Sequence, residues 1–245
     1  MKCLILAAGY ATRLYPPTKD YPKPLLQVRR KAILDWLLED IEGSGHIDGY
    51  AVVTNHKFAR FFHQWADNHN LKIDIVDDGT STNESRLGAV CDIQYAIDRL
   101  SLRDDLLVIA GDNLLDFSLQ SFISYAIEKG TSCTMRYLET DESKLRKCGV
   151  SEVDADDKLI SLEEKPENPK SQWATPPFYF YTKEDVRKIR DAINDGCRVD
   201  APGSLVSWMC RHSVMHSMEM PGHRFDIGTL ESYDFVKRNY KGIMK

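Results

Sequence analysis

The chain has 245 residues, 42% of them hydrophobic, enough for a large continuous core. Its 32 basic and 37 acidic residues leave a net charge of −5, which argues against nucleic acid or an anionic membrane as a partner. No run approaches the ~20 apolar residues that cross a bilayer. The apolar start is too short for a signal-peptide core, and six scattered cysteines form no CxxC pair, so a cytoplasmic location is expected.

An apolar run over residues 3–8 predicts a strand, and apolar residues at helical spacing predict a helix over 33–41. Strands at 50–54 and 73–76 flank a helix at 58–65. Residues 89–100 place Val90, Ile93, Ile97 and Leu100 on one helical face. A strand at 106–110, a helix at 119–128 and a strand at 132–137 follow. Such alternation means βαβ units and a parallel sheet covered on both faces. Beyond about residue 140 the rhythm changes. Short strand-like runs at 150–153, 159–162 and 178–181 read as an antiparallel excursion. Helices at 183–194 and 205–211, a strand at 214–218 and a helix from near Thr229 complete the chain. With no linker, low-complexity segment or repeat, the expectation is α/β: a Rossmann-like mixed, mostly parallel sheet with helices on both faces and a small antiparallel inserted lobe. It is read as one domain over residues 1–245.

Ligands of an open parallel sheet bind beyond the carboxyl ends of its strands. The first strand delivers Ala7-Ala8-Gly9-Tyr10-Ala11-Thr12-Arg13, whose small residues let backbone N–H groups form an anion-binding concavity. Arg13 can grip phosphate oxygens in a fork, and Lys23 acts as a compact charge. Four prolines between residues 16 and 24 stiffen the loop. The plainer reading is a solvated loop with ordinary surface charges; two cations together in a stiffened loop favour the functional one. The three-glycine dinucleotide fingerprint and the GxxxxGK[ST] loop are both absent.

Asp112 follows a buried apolar run, where a carboxylate is costly unless it is paired or bound to metal. Asp226 lies far along the chain, just before another core element. Two carboxylates converging with triphosphate oxygens would suit Mg²⁺. The competing reading makes each a cap, Asp226 of the helix from Thr229 and Asp112 of a turn. Zinc is not expected: His212 and His216 are four apart but fall in a strand pattern with no third ligand.

Leu6-Ala7-Ala8-Gly9-x-x-Thr12-Arg13-Leu14, followed by Pro22-Lys23-Pro24-Leu25, resembles the signature of sugar-1-phosphate nucleotidyltransferases. Gly111-Asp112-Asn113, Glu163-Glu164-Lys165-Pro166 and Asp226-Ile227-Gly228-Thr229 match further blocks of that family in order, and glucose-1-phosphate thymidylyltransferases look most similar. The resemblance implies a nucleotide-binding part over roughly 1–140, then an acceptor-binding lobe and return to the sheet over roughly 141–245. It implies that residues 6–13 wrap the nucleotide phosphates, with Leu6, Ala7, Ala8, Gly9 and Thr12 in contact, and that Arg13 and Lys23 are catalytic. Gly88 would meet the base, Asp112 would contact nucleotide and metal, and Asp226 would complete the Mg²⁺ site. Gly149, Glu164, Lys165 and Thr175 would hold the acceptor. The implied reaction is in-line attack of a sugar 1-phosphate on the α-phosphorus of an NTP (CTP, dTTP or UTP), with pyrophosphate leaving. No protein nucleophile is needed.

The sequence departs from the family at three places. Ala11 stands where a second glycine is common, and Thr175-Pro176-Pro177 replaces a Thr-Gly step that lines the acceptor pocket. Thr80-Ser81-Thr82-Asn83-Glu84 replaces a Gln-Pro-rich base-reading stretch, so Asn83 becomes the candidate base contact. From a chain of 245 residues, the β-helical acyltransferase domain of bifunctional relatives is not expected. Two other functions stay open: a cytidylyltransferase acting on phosphocholine or another non-sugar acceptor, whose cation would want aromatic faces such as Trp173, and a noncatalytic nucleotide-binding regulatory subunit. A homo-oligomer is expected from the family, with no interface legible in the residues.

Overall fold

The computed structural model describes residues 1–244. In chain order the first elements are β1 (Lys2–Leu6), β2 (Gln27–Val28), β3 (Lys31–Ala32), α1 (Ile33–Glu42), β4 (Gly49–Thr54), α2 (His56–Ala66) and β5 (Ile73–Asp77). Then come α3 (Ala89–Leu100), β6 (Leu106–Ala110), β7 (Asn113–Leu115), α4 (Gln120–Lys129), β8 (Ser132–Leu138), α5 (Glu142–Leu145), β9 (Gly149–Val153) and β10 (Leu159–Glu164). The last are β11 (Trp173–Thr175), β12 (Phe178–Tyr181), α6 (Lys183–Val186), α7 (Ile189–Asn194), α8 (Gly203–Met209), β13 (Met215–Glu219), β14 (Arg224–Asp226) and α9 (Leu230–Asn239). The described residues fall into two compact units.

One unit holds Lys2–Arg86, Ala110–Ser121 and the chain from Pro221 onward. Its strands β1, β4 and β5 run parallel, with Leu6 opposite Val53 and Thr54 opposite Asp77, so all three release their loops at one edge. The apolar residues of β1 and β4 are buried (Leu4, Ile5, Val52, Val53), as are Phe58 and Phe62 on α2. Helix α2 starts where the Asn55 side chain accepts the Phe58 N–H, an N-cap at the end of β4. The short strands β7 and β14 form an antiparallel ribbon with Asp226 opposite Asn113. Leu14, Leu26, Val28, Leu114, Ile227 and Tyr240 make the core beneath it, and the Tyr240 hydroxyl donates to the Leu115 carbonyl at 2.7 Å.

The other unit holds Leu87–Ile109 and Phe122–Met220. Here β12 pairs antiparallel with β6 and β8, β13 pairs parallel with β8, and β11 lies between β8 and β9 with β10 beyond β9. Of the antiparallel excursion expected after residue 140, the runs at 150–153 and 159–162 are β9 and β10, joined by β11 over a core of Leu145, Val150 and Ala174, whereas the run at 178–181 is β12, which pairs instead with β6 and β8. The pairings across the protein are thus both parallel and antiparallel, with helices packed on them, as the α/β reading requires.

Several element boundaries differ from the sequence pattern. The single helix expected over 183–194 is two, because Arg187 and Lys188 separate α6 from α7. The buried Asp185 carboxylate accepts from Ser132 and Ser213 and pairs with Lys188 at 3.0 Å, demands no helical periodicity expresses. Strand β11 went unread because Pro176 and Pro177 cut its apolar run to three residues. β7 and β14 are also three residues each. His212 lies outside β13 and stacks on Trp208 at 3.7 Å between ring centres.

Candidate functional site

The loop after β1 is held from below. The Ala7 N–H donates to the Val53 carbonyl (2.9 Å), and the buried Asn55 amide donates to the Ala8 carbonyl (2.9 Å). Around Gly9 no atom of the described residues beyond its two chain neighbours would meet an added Cβ within 4 Å. Ala11 sits in the left-handed region (φ 46°, ψ 42°) at the start of the 3₁₀ turn Thr12–Leu14. For a residue with a Cβ that conformation costs roughly 1–2 kcal/mol. The need for a glycine here is conformational, and the Thr18 hydroxyl steadies the alanine by donating to its carbonyl at 2.9 Å. Thr12 and Arg13 are exposed on this turn.

Gly111 brings Asp112 beside that loop. Its N–H donates to the Leu6 carbonyl at 3.0 Å, and a Cβ there would lie 2.9 Å from Ile5 Cγ2. Lys23, only 7% exposed, reaches Asp112 Oδ2 at 2.7 Å and Asp226 Oδ1 at 4.0 Å. The charge that the sequence alone makes costly at Asp112 is therefore paired. Burial pushes the Asp112 carboxyl up, but Lys23, by charge and hydrogen bond, and then Arg224 outweigh it and hold the group below its ordinary range. Asp226 is not the helix cap: the Thr229 side chain caps α9, leaving Asp226 at the end of β14 with 57% of its side chain exposed. Leu6, Ala7, Gly9, Ala11, Arg13, Lys23, Asp112 and Gly228 line one pocket of ≈ 140 Å³. This is below the roughly 300–1,000 Å³ of a drug-sized ligand site, so it can seat part of a nucleotide.

Two carboxylates converging on one ammonium mark where a cation is welcome. Among the described residues no three His, Cys, Asp or Glu side chains are grouped to hold a metal. Mg²⁺ needs fewer, since it takes one or two carboxylates and completes its shell with phosphates and water. Asp112 and Asp226 fit that demand.

Asn83 lies in the turn after β5, where Thr82 and Ser85 bond to each other and the Asn83 carbonyl accepts from Arg86 at 2.8 Å. Gly88 (φ 93°) precedes α3, and a Cβ would come within 2.7 Å of the Val199 carbonyl oxygen. Its glycine is thus accounted for by close backbone approach within the second unit.

The predicted acceptor residues all lie in that unit, and three of them share one row. Glu164 on β10 is opposite Gly149 on β9, which in turn is opposite Thr175 on β11. Thr175 is buried, and its Oγ1 has no hydrogen-bond partner among the described residues. Lys165 turns out of β10 in a left-handed conformation (φ 53°). A cavity of ≈ 800 Å³ is lined by Glu164, Lys165, Lys170, Arg198, Trp208 and Arg211 among others. Burial pushes the Glu164 carboxyl up, against the pull of Lys165 and Arg198. Gly203, at the start of α8, leaves room for this carboxylate; a Cβ there would overlap Glu164 Oε2. Sequence reasoning missed Arg198 and Gly203. A glycine opening a helical run was the one available signal, pointing to a close neighbour without saying which. It also gave no role to Asn113 or Arg224.

A family model described as nucleotidyl transferase matches residues 2–241. The chain is 30% identical to a glucose-1-phosphate thymidylyltransferase of Streptomyces antibioticus, over 97% of this chain and 65% of that one. It is 26% identical to a glucose-1-phosphate adenylyltransferase of Fervidobacterium nodosum (strain ATCC 35602 / DSM 5306 / Rt17-B1), over 94% and 59% respectively. The chain thus spans between about half and two thirds of the curated relatives it matches. A crystal structure of UDP-glucose pyrophosphorylase complexed with UDP-glucose shares the fold, with a TM-score of 0.83 at 20% identity over 98% of this chain and 97% of that one.

Proposed function

Because the chain belongs to the nucleotidyl transferase family, we propose that it transfers a nucleoside monophosphate from an NTP to a sugar 1-phosphate, releasing an NDP-sugar and pyrophosphate. The observation that carries this reading is Lys23 at the meeting point of Asp112 and Asp226, under a loop of small residues ending in Arg13. The pocket of the first unit is assigned the triphosphate. Its phosphates are assigned to the backbone N–H groups at Ala8 and Gly9 and the Thr12 hydroxyl, with Leu6 and Ala7, whose N–H is taken by Val53, lining the pocket beside them. Arg13 and Lys23 offset the charge that grows on the α-phosphoryl group and the departing pyrophosphate. A Mg²⁺ held by Asp112 and Asp226 would supply further neutralisation of the triphosphate. Asn83 and the backbone at Gly88 are assigned the base.

The cavity of the second unit is assigned the acceptor. Glu164, bordered by Gly149 and Thr175, accepts hydrogen bonds from sugar hydroxyls, while Lys165 pairs with the acceptor phosphate. That phosphate attacks the α-phosphorus in line; the bond to the bridging oxygen breaks, and pyrophosphate carries the electrons away. Residues orient the reactants and no covalent enzyme intermediate forms.

Against phosphocholine, the Trp173 ring already carries the Arg136 guanidinium 4.9 Å from its centre, and among the described residues Trp208 is the one aromatic side chain lining the acceptor cavity. A choline cation would need more than one free aromatic face. Incubating the protein with each common triphosphate, Mg²⁺ and a panel of phosphorylated acceptors, while following pyrophosphate, tests the proposal. Release with a sugar 1-phosphate is expected. No release with any pair would leave the noncatalytic reading standing, and release with phosphocholine alone would replace the sugar.

A further inference from the structure

Behind the two carboxylates runs a chain of hydrogen bonds to which the transfer chemistry proposed above gives no part. The Arg224 Nη1 donates to Asn113 Oδ1 at 2.7 Å, and Asn113 Nδ2 donates to Asp112 Oδ1 at 2.8 Å. Both members belong to the β7–β14 ribbon, whose register sets Asn113 opposite Asp226 and Arg224 opposite Leu115. Asn113 is 2% exposed, and the Arg224 side chain 18%.

The order of donors leaves the amide one orientation. Turned over, its NH₂ would face the guanidinium and its oxygen would face the carboxylate, two repulsions in a buried place. Arg224 therefore fixes Asn113, and Asn113 occupies Oδ1 of Asp112. Oδ2 is the oxygen left facing Lys23, at 2.7 Å. Arg224 also lies 4.0 Å from Asp226 Oδ1, so one guanidinium touches the settings of both acids.

We propose that Arg224 and Asn113 form a positioning relay that selects Asp112 Oδ2, and aligns it with Asp226, for the divalent cation of the transfer reaction. The proposal rests on the metal reading above. Both residues are assigned a positioning role, exerted through Asp112. Hydrogen-bonded partners behind metal ligands typically govern affinity by ~10–100-fold.

Titrating the full chain with Mn²⁺, by calorimetry or by the loss of the free-ion EPR signal, in the presence of inorganic tripolyphosphate, tests it. Arg224→Ala is expected to weaken Mn²⁺ binding at least ~tenfold, and Arg224→Lys, which keeps one donor, by less. Tripolyphosphate binding without metal should stay within about threefold of wild type, because Arg13 and Lys23 are untouched. A merely structural network would lower the melting temperature and leave the Mn²⁺ affinity of the folded protein alone. If Arg224→Ala does not fold, the lysine variant decides the matter. Wild-type Mn²⁺ affinity in either folded variant overturns the relay. No Mn²⁺ uptake by the wild type overturns the metal site itself, and the relay with it.

Discussion

The two sites are built on opposite plans. In the first unit charges are spent on one another: Lys23 is buried against Asp112, Asn113 and Arg224 back them, and the pocket is small. In the second, a cavity more than five times larger is lined by Lys165, Lys170, Arg198 and Arg211, none in an ion pair within 4 Å among the described residues, around a carboxyl that burial disfavours. The difference matches the two tasks assigned. A group that must meet growing charge is worth most when preorganised in a closed place, whereas a group that reads hydroxyls has to be open to its ligand.

That contrast can be broken, the largest effect first. Lys23→Ala removes a charge stabiliser and leaves Asp112 without its cation, so turnover in the pyrophosphate assay should fall ~10²–10³-fold. Arg13→Ala and Asp112→Asn should each cost at least ~10²-fold while melting cooperatively. An unchanged rate in any of the three removes that residue from the mechanism.

Gly203→Ala probes the second site by displacement. The added methyl would overlap Glu164 Oε2, and because that is the end of a flexible side chain, the carboxylate swings away at little cost to folding. The KM for the acceptor should rise about tenfold, equivalent to ~1.4 kcal/mol, with the KM for triphosphate unchanged. Equal rises in both would show that the cavity and the pocket are not divided as assigned.

A smaller effect follows from Glu164. Its folded pKa lies above the ordinary 4.5, so between the two values the folded chain holds more proton than the unfolded one. Stability therefore falls as pH rises through that window, and the full cost is carried above it. Glu164→Gln should melt higher than wild type at pH 7, by on the order of 2 °C for a chain of this size. Near pH 4 the difference should vanish. A variant less stable at pH 7 would mean that the carboxylate is held by more than its surroundings show.

Least of all, Ala11→Gly should relieve the left-handed strain, offset in part by greater freedom of the unfolded chain, for a net gain of about 0–1 kcal/mol in thermal melts. A clear loss would mean that the alanine methyl contributes packing larger than its strain.

Much of the first site was legible because its residues cluster in sequence. Residues 6–13 and Lys23 fall within one loop, and Asp112 ends an unmistakable buried strand. The second was legible only by resemblance. Gly149 and Thr175 lie 26 positions apart with Glu164 between them, and only the pairing of β9 with β10 and β11 puts the three in a row. No periodicity predicts register between strands joined by irregular loops. Arg198 and Gly203 join Glu164 from a different stretch of chain for the same reason.

Sequence alone therefore determined what is local: the strand and helix alternation, the stiffened loop of small residues, and the presence of a carboxylate where burial makes one expensive. Tertiary structure decided who answers that expense. Lys23 lies 89 positions from Asp112, and Arg224 lies 111 from Asn113. A buried charge must find a partner, and the partner is whichever side chain the packed backbone brings within 3 Å, a matter of three-dimensional distance that order along the chain does not encode.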